Sequence, residues 1–63
     1  MRTYTYTRTV NGTEKSGAIE AATTQAALSE ALGNDVYSWR ENEDGTAVVQ
    51  NGNGTMTVWV KPV

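Results

Sequence analysis

Residues 2–10 read R-T-Y-T-Y-T-R-T-V, a strict alternation of period two. Only an extended strand sends every second side chain to the same face, so this segment predicts a β-strand. One face carries Tyr4, Tyr6 and Val10, and the other carries Thr3, Thr5, Thr7 and Thr9. Asn11-Gly12 follows, the pair that most readily supplies the two positive φ values of a type I′ hairpin turn. A tight turn pairs Val10 with Thr13, Tyr4 with Ile19 and Tyr6 with Gly17. An aromatic ring laid over a strand glycine stabilises such a pair. The threonine face meets Glu14, Ser16, Ala18 and Glu20, all small or polar. One register therefore sorts the faces of both strands at once.

Residues 23–33, T-T-Q-A-A-L-S-E-A-L-G, predict a short helix. Thr23 or Thr24 can accept from the first free backbone N–H groups, and Gly33 can take the left-handed position that ends a helix. Ala27, Leu28, Ala31 and Leu32 fall on one stripe, with Gln25, Ser29 and Glu30 facing water. The stripe is narrow and Ala-rich, which suits close packing on a sheet with large side chains.

Residues 36–41 predict the start of a second run of strands. Residues 42–46, N-E-D-G-T, have the chemistry of a three-residue hairpin loop with Gly45 left-handed. That loop sets Trp39 opposite Val49 and Glu41 opposite Ala47. If Asn51, Gly52, Asn53 and Gly54 are all loop, Val49 faces Met56 and Ala47 faces Val58. The inward set is then Tyr37, Trp39, Ala47, Val49, Met56, Val58 and Val60. The outward set is Ser38, Arg40, Thr46, Val48, Thr57, Trp59 and Lys61, with Pro62 ending the last strand. The expected fold is α+β, in the order ββαβββ: one helix on one face of a five-stranded antiparallel sheet. The expected core holds Tyr4, Tyr6, Ile19, Leu28, Leu32, Trp39, Val49 and Val58.

With 63 residues, the chain makes a single domain, residues 1–63, that buries only about 60% of its unfolded surface. It has no Cys and no His, which removes disulfides, the usual zinc sites and His-based proton shuttles as a class. No apolar run approaches the ~20 residues that span a bilayer, and the first ten residues hold no signal-peptide core. The expectation is a soluble protein of the host-cell cytoplasm. A net charge of −2 and a pI near 4.8 argue against a direct, sequence-specific nucleic-acid binder, which usually carries a basic face.

Little is left to carry catalysis. Glu41, Glu43 and Asp44 crowd the E-N-E-D-G tip, but acid–base work needs a carboxyl whose pKa burial has raised, and water screens a hairpin tip. The tip lacks the oxygen spacing of a calcium loop. The N-G-N-G segment lacks the Lys-Ser/Thr of a phosphate loop and reads as a turn. No enzyme, metal or cofactor is expected.

Tyr4, Tyr6, Tyr37 and Trp39 fall on the face that the helix should cover, so they read as core and not as a base-stacking platform. Trp59 differs, because Val58 and Val60 claim the core face. The same register sets Arg40, Val48, Thr57 and Lys61 beside it on the open face. An exposed Trp with a Val and an Arg has the composition of a binding hot spot. The candidate contact surface is therefore Arg40, Val48, Thr57, Trp59 and Lys61, with Glu41, Glu43 and Asp44 at its edge.

Tyr4 and Tyr6, then Asn11-Gly12, then Gly17-x-Ile19-Glu20-Ala21, then Ala27-Leu28 and Leu32-Gly33, form a phrase over residues 4–33. It resembles the ββα opening of the N-terminal segment of type II secretion F proteins. It is also similar to small phage-borne proteins, among them a type I anti-CRISPR family built as one helix on a five-stranded antiparallel sheet. Secretion F proteins continue into membrane helices, whereas this chain stops at Val63, which favours the free-standing phage type. That resemblance implies a non-enzymatic inhibitor that blocks a surface of a host defence nucleoprotein complex, such as a CRISPR effector complex. Residues 24–32 contain no Lys or Arg, which sets aside a basic helix that holds DNA. The second function class is a small accessory or structural interaction module, for which a homodimer stays open.

Overall fold

A computed structural model describes residues 1–51 and 55–63. The elements are β1 (Arg2–Val10), β2 (Thr13–Ala21), α1 (Thr24–Leu32), β3 (Arg40–Glu41), β4 (Ala47–Asn51) and β5 (Met56–Pro62). They build a five-stranded sheet of order β2-β1-β5-β4-β3, antiparallel throughout, with α1 packed against β5, β2, β1 and β4. The fold is the expected α+β ββαβββ arrangement.

The first hairpin follows its local chemistry. Asn11 and Gly12 both take positive φ, 49° and 84°, and the ladder runs Val10–Thr13, Tyr6–Gly17 and Tyr4–Ile19. A side chain is strained at such φ values, so an Asn-Gly pair holds the turn. The Tyr6 ring covers Gly17 so closely that a Cβ there would lie 2.9 Å from Tyr6 Cε1.

The helix starts and stops where its caps dictate. The Thr23 side chain accepts from the Ala26 N–H at 3.1 Å, and Gly33, at φ 86°, donates its N–H to the Ser29 carbonyl. Ala27, Leu28, Ala31 and Leu32 are all buried against the sheet. With Tyr4, Ile19, Ala21, Val36, Ala47, Val58 and Val60 they form the core, and Tyr6, Trp39, Val49 and Met56 pack partly buried around it.

The second half departs from expectation at two points. Residues 36–39 are not strand, and β3 shrinks to Arg40–Glu41. Gln25 Nε2 donates to the Val36 carbonyl at 2.7 Å, while the Val36 N–H donates to Ser29 Oγ at 3.0 Å. Helix side chains thus satisfy both backbone groups of Val36, which a strand would have paired in its ladder. Gln25 and Ser29, expected to face water only, clamp the connection instead. The clamp turns Val36 into the core and leaves Tyr37 81% exposed, reversing the expected orientation of Tyr37.

The last turn is also shifted. Val49 pairs with Val58 and Ala47 with Val60, not with Met56 and Val58 as expected. The slip is two residues, so each side chain keeps its face. Residues 52–54 of the expected N-G-N-G turn, and any ion site there, lie outside the described residues. Gly45 is left-handed at φ 91° and donates its N–H to the Asn42 carbonyl, while the Asn42 N–H donates to the Thr46 carbonyl and closes the loop around it, as expected.

Candidate functional site

β1 and β5 are neighbours, and their pairing decides what the open face looks like. Val58 and Val60 are fully buried toward the helix, so the residue between them, Trp59, stands on the opposite face. Trp59 lies directly across from Thr7 on β1 and Val48 on β4. Thr7 in turn faces Ser16, and Val48 faces Arg40. One row therefore crosses the whole sheet on the side without the helix: Ser16, Thr7, Trp59, Val48 and Arg40.

The centre of this row is drier than an open sheet face usually is. Thr7 is only 9% exposed, although α1 lies on the other side. Its Oγ1 is 3.2 Å from Ser16 Oγ, a hydroxyl pair that either residue can donate. Trp59 and Val48 are half-buried. The threonine face is exposed at Thr3 and Thr5 but dry at Thr7, where Trp59 stands beside it on the central strand.

At one end of the row a shallow groove of about 400 Å³ is lined by Asn42, Asp44, Thr46, Val48, Trp59 and Lys61. Asp44 Oδ1 accepts the Thr46 N–H at 2.9 Å, which folds the loop tip back toward the strand. That hydrogen bond, helped by the nearby Lys61 charge, holds the Asp44 carboxyl below its ordinary pKa of 3.8. Asp44 therefore stays ionised and puts a negative charge next to the cation of Lys61. A second shallow groove, of about 310 Å³, joins Ser38, Trp39, Arg40, Val48, Val49 and Gln50. Val48 belongs to both grooves and links them across the face.

The structure thus gathers Arg40, Val48, Trp59, Lys61 and Asp44 along one side of the sheet. Thr57 stands on the same face one row away, opposite Thr9 and Gln50. Glu41 separates from the others: it pairs with Ala47, hence on the helix side, and accepts from Trp39 Nε1 at 3.2 Å. Glu43 is exposed at the loop tip. Sequence reasoning missed Thr7 and Ser16, whose place beside Trp59 depends on the β1–β5 pairing. Among the described residues no three His, Cys, Asp or Glu side chains converge as a metal-ligand set. Among them, too, no helix is long and apolar enough to cross a membrane.

No protein-family model, curated protein or solved structure matches this chain.

Proposed function

We propose that this is a non-enzymatic binding protein that docks a protein partner on the open face of its sheet. One observation carries the reading: Trp59 and Val48 stand half-buried at the centre of a cross-strand row on the face that the helix leaves bare. A Trp offers a large contact area for few rotamers lost, and charged groups at its border give orientation and speed of encounter. Here those border charges are Arg40, Lys61 and Asp44.

The finer form of the proposal is an inhibitor from a phage or mobile element that blocks a surface of a CRISPR effector complex in the host cytoplasm. It rests on the resemblance of residues 4–33 and on the acidic tip, which suits lysines that otherwise grip phosphate. The partner on this reading is protein; no membrane, cofactor or metal is required.

The test is affinity for a purified type I effector complex, measured with the melting temperature of each variant. Trp59→Ala should weaken binding by about 2 kcal/mol or more while the domain still folds at the assay temperature. Glu43→Gln, at an exposed position of the acidic tip, should slow association and weaken its salt dependence without affecting the melt. Wild-type affinity in both variants would reduce the open face to an ordinary sheet surface. Absence of any binding to the complex, with a fully folded protein, would reject the anti-CRISPR form.

A further inference from the structure

The opposite side of the sheet carries an unexplained pair of cations. Arg8 follows Tyr4 and Tyr6 along the helix-facing side of β1, and the register places Lys15 of β2 directly across from it. Like charges directly opposite one another in an antiparallel pair are destabilising. Beside them a cleft of about 320 Å³ opens between the first hairpin and the helix, lined by Tyr6, Arg8, Lys15, Ile19, Glu30 and Ala31.

Arg8 Nε is buried and has no hydrogen-bond partner. A desolvated, charged donor without an acceptor is costly, and such groups are rare in folded proteins. Glu30 is the carboxylate on the cleft wall, yet it does not accept from Nε. One carboxylate against two cations leaves the cleft positive in a chain of net charge −2. Tyr6, whose ring lies over Gly17, forms part of the same wall.

We propose that this cleft is an oxyanion site, taking a carboxylate or phosphate group between Arg8 and Lys15. The Arg8 edge supplies directed N–H donors and Lys15 supplies a mobile point charge. An anion there relieves the Arg8–Lys15 repulsion, and a turn of the guanidinium toward it brings an acceptor to Nε, which is closed to solvent in the free protein. The site is independent of the Trp59 face, because it lies on the other side of the sheet.

Arginine Nε–Hε groups are visible directly by ¹H–¹⁵N NMR, which allows the orphaned atom itself to report. The protein is titrated with inorganic phosphate and, separately, with acetate, at ionic strength held constant with chloride. A saturable shift of Arg8 Nε–Hε is expected, on the order of millimolar midpoint, with Arg2 and Arg40 unmoved. Lys15→Gln, exposed on the edge strand, should weaken the midpoint about tenfold, and Arg8→Lys, followed at the Lys15 backbone amide because it removes the guanidinium reporter, should weaken it to a similar degree. Glu30→Gln should tighten it by removing the competing carboxylate. Tighter phosphate points to a phosphorylated ligand and tighter acetate to a carboxylate ligand; either supports the site. Equal, non-saturating shifts at all three arginines would overturn it. So would an Arg8 Nε–Hε signal displaced by Glu30→Gln alone as far as phosphate displaces it in the wild type, since Glu30 would then be its partner in solution.

Discussion

Leu28→Ala tests the packing on which the whole architecture rests. Leu28 is 0% exposed and sits on the middle of the helix stripe, over a sheet whose buried side chains include Tyr4, Val58 and Val60. The substitution removes three carbons, worth roughly 2.4 kcal/mol of transfer at about 0.8 kcal/mol each. A cavity term is added, because a sheet held by ladders on both sides cannot collapse into the gap, and the total should reach about 3–5 kcal/mol. Alanine is a slightly better helix former than leucine, and that gain is too small to offset the loss. A chain of 63 residues has a total stability of only about 3–9 kcal/mol. The variant should therefore melt at least about 10 °C below wild type, or be largely unfolded at room temperature. Urea and thermal unfolding followed by circular dichroism measure this directly. Ala26→Ser, on the exposed face of the same helix, is the control and should change stability by about 0.5 kcal/mol or less. A Leu28→Ala protein that melts within a few degrees of wild type would refute the packing of α1 on this sheet.

Three further perturbations probe features that local patterns alone do not decide. Ser29→Ala removes the acceptor for the part-buried Val36 N–H; after the better helix propensity of alanine is set against it, a net loss of about 1 kcal/mol and faster hydrogen exchange at Val36 are expected. A stabilised Ser29→Ala would show that the clamp does not hold residues 36–39. Gly17→Ala puts a Cβ 2.9 Å from Tyr6 Cε1, so the ring must move, with about 1 kcal/mol lost in chemical denaturation. The loss should shrink in a Tyr6→Leu background, which lacks that ring, and an unchanged loss would place the strain elsewhere. The folded-state pKa of Asp44 is depressed below 3.8, so its contribution is present above that value and is lost as pH falls through the lower folded value. Asp44→Asn should therefore flatten part of the acid limb of the stability profile, read from urea midpoints on descending pH, while identical acid limbs would remove Asp44 from the linkage.

Most of the frame was legible because its determinants are short in range. The Tyr/Thr alternation, the Asn-Gly turn, the Thr23 and Gly33 caps and the left-handed Gly45 are each set by a few adjacent residues. Where longer contacts compete, the reading shifted. Val36 looked like the start of a strand because β-branched and aromatic residues cluster there, but side chains from a helix earlier in the chain took its backbone groups. The expected Val49–Met56 pairing moved by two residues, since a glycine-rich sequence specifies register weakly. The faces survived that slip only because it was even.

The candidate surface divides along the same line. The sequence by itself determined that Trp59 lies opposite the core, since alternation with Val58 and Val60 settles its side of the strand. It determined equally that Arg40, Val48 and Lys61 share that side. Only the tertiary structure decided that β1 lies beside β5, which puts Thr7 and Ser16 into the same row and dries its centre. It also drew Asp44 into the groove with Lys61 while turning Glu41 away toward Trp39. The Arg8–Lys15 cleft likewise needs both the hairpin register, which pairs the two cations, and the helix, which brings Glu30 and Ala31 to its wall. A strand pattern tells which face a residue occupies; which strand comes to lie alongside depends on non-local pairing, and no local period encodes it.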